Sequence, residues 1–374
     1  MAAESFTMTL EGHHTTLSPD QIERELSSMW KPMEEGTEST SVTRVVLGNV
    51  IWIGLADQVE RVRAIVQKVV PKYPCRLFLL QYERENTSDE VKASVSAQCF
   101  VPQKGEPPVC CEVIGMSFGP NAARHLRGCV APLLLPDIQT VLWENLGGVF
   151  IEQFDDLQKF ADRTITQVSL TRNPARILRR LGEGATTILD LSWFRLGPIR
   201  DQVAAFFDDT GVTFDLNNIA VVKVQILRRD QNRALPEVMA ALFAGWMGSL
   251  LGWKPVGPTN KGFRFDSPSG PVEVTTERVA PTEGPVLNNM NEIRLTDRKG
   301  EVFNLTMQQC GGAMDLWCGE RDRHAGERHL VLSELSEADA LGAALNMPAS
   351  FERFRAAALL AVPLLDSFYE AEES

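Results

Sequence analysis

The residues with the clearest chemical potential are arginines. Arg195 and Arg200 bracket the turn Leu196-Gly197-Pro198, and Asp190 stands five residues before the first of them. A guanidinium offers a planar fork of N–H groups that fits a phosphate or a carboxylate. Asp190, Arg195 and Arg200 are therefore the candidate phosphate-binding set. Arg124 and Arg127, and the run Arg172, Arg176, Arg179 and Arg180, lie on helical stretches where structural ion pairs are the competing reading. Cysteine is the second candidate. Cys310 and Cys318 are flanked by Gly311, Gly312 and Gly319, a segment pliant enough to bring two thiols together. They form the candidate redox pair.

Other catalytic chemistry finds no pattern. There is no GxSxG elbow and no GxxxxGK[ST] loop. Gly54-Leu55-Ala56-Asp57 carries one glycine and is not a dinucleotide fingerprint, and Gly182-Glu183-Gly184 reads as a helix end. Cys110 and Cys111 are adjacent, so on a strand they point to opposite faces and cannot share one metal ion. His324 and His329 lie near Cys318 and Glu320 without a metal-ligand spacing. Asp155-Asp156 and Asp208-Asp209 read as solvated carboxylates. No catalytic residue, metal or cofactor is assigned, and the chain is expected not to be an enzyme.

The net charge of −12 argues against nucleic acid and against anionic lipid as partners. The first residues show no basic and apolar leader, and no apolar run is long enough to span a bilayer. Seven cysteines without a leader suggest free thiols in a reducing compartment, hence a cytoplasmic protein.

The elements that must position these residues read as α/β. Ser18-Pro19-Asp20-Gln21 is a capped helix start, and the helix runs to about Trp30. With the polar stretch that follows, residues 1–41 form an expected N-terminal arm and linker. Residues 42–253 read as an α/β domain with a mixed central sheet and crossover helices. Within it lie a strand to Leu55, a helix with Val59, Val62, Val66 and Val69 on one face, and a strand from Arg76. Residues 91–101 and 109–118 look like an antiparallel hairpin on the same sheet. The stripe from Leu235 to Leu251 is the clearest helix, and Gly252 is its expected cap. Residues 254–374 read as a smaller antiparallel α+β domain with a terminal helix from about Ser350.

Six segments carry a resemblance. They are Tyr73-Pro74-Cys75-Arg76-Leu77-Phe78-Leu79-Leu80; Cys111-Glu112-Val113-Ile114; Ala131-Pro132-Leu133-Leu134-Leu135-Pro136-Asp137 with Val141-Leu142-Trp143; Asp162-Arg163-Thr164-Ile165; Asp190-Leu191-Ser192-Trp193-Phe194-Arg195-Leu196; and Leu242-Phe243-Ala244-Gly245-Trp246-Met247 with Leu250-Leu251-Gly252-Trp253. In this order the chain resembles the glucose-6-phosphate dehydrogenase assembly protein OpcA family over about 42 to 253. Glu144 stands where family members often carry a second tryptophan.

The resemblance implies a non-catalytic accessory protein that binds glucose-6-phosphate dehydrogenase and promotes its active assembly, with possible redox modulation. Trp143, Arg163, Trp193, Arg195 and Trp246 are the candidate partner-binding residues. The alternative is a sugar-phosphate-binding protein or enzyme with an arginine-lined cleft. The sequence leaves the chain's own oligomeric state open.

Overall fold

A computed structural model describes residues 8–11, 18–34, 43–44, 46–100, 109–146, 155–171, 173–183, 187–208, 212, 214–227, 235–280, 290–307, 313–320, 323–331, 336–347 and 351–373. The chain divides into two units. The first combines Met1–Thr166, Thr186–Ile188 and Glu337–Met347; the second combines Gln167–Ala185, Leu189–Ser336 and Pro348–Ser374.

The first unit opens with β1 (Met8–Glu11), α1 (Pro19–Glu34), β2 (Thr43–Arg44), β3 (Gly48–Leu55), α2 (Val59–Val69) and β4 (Cys75–Tyr82). It continues with β5 (Lys92–Phe100), β6 (Val109–Phe118), α3 (Leu126–Val130), β7 (Gln139–Glu144), α4 (Asp155–Gln158) and β8 (Arg163–Thr166). The chain then runs through α5 (Pro174–Glu183), β9 (Ile188–Asp190), α6 (Leu191–Arg195), α7 (Gly197–Phe207), β10 (Ile219–Leu227) and α8 (Leu235–Leu251). Seven strands follow: β11 (Lys254–Pro258), β12 (Gly262–Ser267), β13 (Gly270–Val279), β14 (Met290–Asp297), β15 (Val302–Met307), β16 (Ala313–Glu320) and β17 (Arg323–Val331). Two helices close the chain, α9 (Glu337–Asn346) and α10 (Glu352–Glu373).

The first sheet is ordered β1-β5-β6-β4-β3-β7-β8-β9, with β2 beside β6. Its centre is parallel: β3 pairs with both β4 and β7, β4 with β6, and β7 with β8. The hairpin β5–β6 and the added β1 are antiparallel. One face carries Ile51, Ile53, Phe78, Leu80, Ile114, Met116 and Leu142 into a core with Ile22 and Leu26 of α1 and Leu126 of α3. The alternate strand positions, among them Val50, Trp52, Leu79 and Trp143, are buried on the opposite face. The crossover helix α2 buries Val59, Val62, Ile65, Val66 and Val69, the helical spacing its sequence shows. Helix α9 packs against it.

The arm expected over 1–41 is part of this unit. Gln21 accepts a hydrogen bond from the Ser18 N–H at 2.8 Å, closing the capping box, and Ile22 and Leu26 are almost fully buried.

The second sheet is ordered β11-β12-β13-β10-β14-β15-β16-β17, and all its pairs are antiparallel except β10–β13. Strand β10 is at its centre, so the boundary expected at 253/254 is displaced toward the N-terminus. The sequence places β10 before the change in composition, but its ladder partners β13 and β14 come after it. One face holds Val222, Val224, Phe265, Ile293 and Leu295. On that unit's α7, Phe206 and Phe207 pack edge-on and tilted against Phe303 of β15, at 5.1 and 4.8 Å between centroids. Polar side chains alternate with the apolar ones; Lys223 Nζ lies 2.6 Å from Glu277 Oε2. Helices α8 and α10 meet at Gly245, where a Cβ would stand 2.2 Å from the Ala357 carbonyl oxygen. Only glycine permits that approach. Gly252 ends α8 at φ +69°, as a left-handed cap does.

Candidate functional site

Doubly wound sheets bind ligands beyond the carboxyl ends of strands where the chain order reverses. In the first unit that point is β3, flanked by β4 on one side and β7 on the other. The chain's own side chains fill it. A Cβ at Gly54 would stand 2.1 Å from Cζ2 of Trp52, whose indole lies over the glycine, and 2.8 Å from Oε1 of Gln58. Trp52 is paired in register with Trp143, and both are fully buried. Among the described residues, the indole N–H groups of both, Oε1 of Gln58 and both amide atoms of Asn145 have no hydrogen-bond partner. This set can hydrogen-bond a neutral group, but it contains no cation, nucleophile or general base. Among the described residues no group of three His, Cys, Asp or Glu side chains could hold a metal ion.

The buried arginines of this unit are structural. Arg76, 2% exposed, donates from Nε to Glu112 at 2.7 Å and from Nη1 to Glu23 of α1 at 2.5 Å and to the Leu133 carbonyl at 2.7 Å. It ties α1, β6 and the turn before β7 together. Arg163, expected at a partner surface, is buried. Its guanidinium donates to the carbonyls of Ala344 and Met347 at 2.6 and 2.7 Å, capping the C-terminal end of α9. Burial pulls its pKa below the ordinary arginine value. Glu144 is also buried, accepting from the Leu146 N–H at 2.6 Å and the Thr166 hydroxyl at 2.9 Å.

The remaining candidates lie in the second unit. Asp190 is fully buried and faces the backbone: it accepts from the Val168 N–H at 2.5 Å and the Ser192 N–H at 2.7 Å, as the cap of α6. Burial raises its pKa, against the pull of these hydrogen bonds. It pins a turn and offers no oxygen to a phosphate. Trp193 is 5% exposed and packs on Phe354 at 5.6 Å; Trp246 is 9% exposed and packs on Phe243 at 5.6 Å. With Trp143, all three tryptophans expected at a partner surface are core residues. An aromatic stripe looks the same in sequence whether it faces a core or a partner. Arg195 is half-buried at the end of α6. Arg200 stands apart, with its guanidinium carbon 3.3 Å from the centroid of the Trp193 ring.

Cys75, Cys111 and Cys129 are free thiols, but Cys110 is disulfide-bonded, so the expectation of free thiols throughout is corrected. The antiparallel ladder sets Cys99 opposite Cys110. Cys310 lies outside the described residues, and Cys318 pairs with Phe303 in the β15–β16 ladder. The buried pair Arg76–Glu112, with Glu23 at its edge, was missed as a unit. An arginine inside an all-apolar strand was its signal, since such a charge needs a partner.

Two family models match nearly end to end. The glucose-6-phosphate dehydrogenase subunit N-terminal domain of OpcA matches residues 66–183, and the corresponding C-terminal domain matches residues 186–358. The chain belongs to the OpcA family. Similar relatives are the OxPP cycle proteins OpcA of Synechocystis sp. and of Synechococcus elongatus. The first is 25% identical over 262 residues, covering 66% of this chain and 52% of the relative. The second is 26% identical over 262 residues, covering 66% and 57%. The chain thus spans about half the length of the curated OpcA relatives it matches. Among solved structures, the aldose-aldose oxidoreductase from Caulobacter crescentus complexed with glycerol is similar at a TM-score of 0.47 and 10% identity, covering 86% of this chain and 98% of that one. A likeness at that level carries no argument about fold or function. Several of the OpcA-like motifs have structural roles here: Arg76 is the buried clamp, Arg163 a helix cap, Asp190 a turn pin, and Gly245 a helix crossing. No described helix is long and apolar enough to cross a membrane.

Proposed function

We propose that the protein is a non-catalytic accessory factor of the oxidative pentose phosphate cycle that binds glucose-6-phosphate dehydrogenase in the cytoplasm and promotes its active assembly. The observation that carries this reading is the pair of family models, both described as glucose-6-phosphate dehydrogenase subunit domains, over residues 66–358. The names of the OxPP cycle relatives support it. So does the crevice at β3, where Trp52 covers Gly54 and leaves no glycine turn exposed to a dinucleotide phosphate.

Such a factor acts by mass action. It stabilises the oligomeric state of the enzyme that it binds best. Its contact surface belongs to side chains that reach solvent, and Leu47, Leu250 and Val256 are exposed apolar candidates. Redox modulation would act through cysteines, and the disulfide-bonded Cys110 joins Cys310 and Cys318 as a position to substitute.

The test is light scattering and activity of the dehydrogenase with and without this protein, under reducing and oxidising conditions. A stable complex with raised specific activity is expected. Independent elution and unchanged activity across both conditions would refute the proposal.

A further inference from the structure

Arg200 lies in the first turn of α7, with its guanidinium carbon 3.3 Å from the centroid of the Trp193 ring. Stacking of this kind occupies the faces of the guanidinium and leaves its N–H edges for acceptors. Nε is occluded from solvent and has no hydrogen-bond partner among the described residues. Nη2 borders open space: apart from the chain next to Gly197, it is the atom of the described residues that comes within 4.0 Å of where a Cβ on Gly197 would stand. Arg76 and Arg163, which are buried, direct their N–H groups at carboxylates and carbonyls. A half-buried guanidinium whose occluded Nε has no acceptor among the described residues is the exception that asks for a ligand.

Two charges act on Arg200: Asp201, the next residue, raises its pKa, and Arg353 in the first turn of α10 lowers it by less. Burial, with Arg353, brings the Arg200 pKa down to about 10, which leaves it protonated at neutral pH.

We propose that Arg200, held flat by Trp193 and supported by Arg353, anchors a binding site beside Gly197 for a small oxyanion, a phosphate monoester or a carboxylate. The Nη edge makes the charge-assisted hydrogen bonds, Trp193 fixes the plane of the fork, and Gly197 leaves the space open. Asp190 takes no part, because its oxygens are committed to backbone N–H groups. The site lies within the second unit, so it does not depend on the dehydrogenase as partner. It would give an accessory factor a metabolite input.

The test uses the full chain alone, at low ionic strength. Calorimetric titrations with inorganic phosphate, glucose 6-phosphate and acetate separate phosphoryl from carboxylate binding. The Arg200 Nε–H resonance, assigned by its loss in Arg200→Lys, reports the site directly. Saturable binding of at least one anion at or below about 1 mM is expected, with a shift of that resonance. Arg200→Gln and Arg200→Lys should each weaken binding by about tenfold or more, and Arg353→Gln by a few-fold. Should Arg200→Gln fail to fold, Arg200→Lys and the wild-type resonance decide. No saturation by any of the three anions up to about 10 mM, or equal binding by the Arg200 variants, overturns the proposal. Neither result bears on complex formation with the dehydrogenase, which is measured separately.

Discussion

Replacing Arg76 with methionine keeps most of the side-chain volume and removes the charge. Three acceptors lose their donor. Glu112 is the expensive one: its side chain is 1% exposed, so its carboxylate loses its Arg76 partner in a buried setting. Breaking one side of a buried pair costs about 3–5 kcal/mol. The Leu133 carbonyl adds to that cost. Glu23 adds little, because its side chain is 42% exposed and water can replace the arginine. At about 2–4 °C per kcal/mol for a unit of this size, the melting temperature should fall by roughly 6–20 °C. The double variant Arg76→Met, Glu112→Leu removes both buried charges and should recover most of the loss, whereas Glu23→Gln alone should cost no more than about 1 kcal/mol. Chemical denaturation of the four proteins measures all of this, and amide exchange in α1 shows whether the helix loosens. The argument fails if Arg76→Met costs under about 1 kcal/mol, or if the double variant is no more stable than the single one.

Three further outcomes follow from side-chain burial. Arg163→Met should leave the Ala344 and Met347 carbonyls without their donor, cost about 1–3 kcal/mol and speed amide exchange at the C-terminal end of α9; unchanged exchange there would count against the capping role. Burial pushes the Cys111 thiol up to about 12 from an ordinary 9.0. The unfolded chain therefore releases this proton at lower pH than the folded one, and stability contributed below pH 9 is lost as pH rises from 9 toward 12. Cys111→Ala should flatten that alkaline decline. A thiol reagent at neutral pH should label half-buried Cys129 before Cys75 or Cys111, and the reverse order would contradict their burial.

Local signals were legible in the sequence where one residue type has one structural use. Ser18 and Gln21 form the expected capping box, the valines of α2 face inward at helical spacing, and Gly252 turns left-handed after α8. The β5–β6 hairpin pairs as its alternation predicts. What failed depended on contacts between residues distant in sequence. Trp143, Trp193 and Trp246 could have faced a core or a partner, and only the packing of other segments decides. Arg163 read as a surface cation because its acceptors come 181 and 184 residues later. The boundary failed at β10, whose parallel partner β13 is separated from it by a helix and two strands. The candidate phosphate set Asp190, Arg195 and Arg200 was drawn from nearness in the chain alone. Asp190 is close in the chain, yet its backbone hydrogen bonds take both of its oxygens.

The segment Glu337–Met347 belongs to the first unit although the chain has by then built nearly all of the second. Both ends of its helix are fastened there, by an ion pair of Glu337 with Arg61 and by the Arg163 cap. During synthesis the first unit must therefore wait. Its sheet can assemble early, but α2 and Arg163 stay without their partner until the ribosome has passed residue 347. Over that interval the nascent chain exposes an unfinished apolar surface, the state in which chaperones and proteases compete for a protein. A gene fragment cut at the junction of the two family models would stop the first unit permanently in that state.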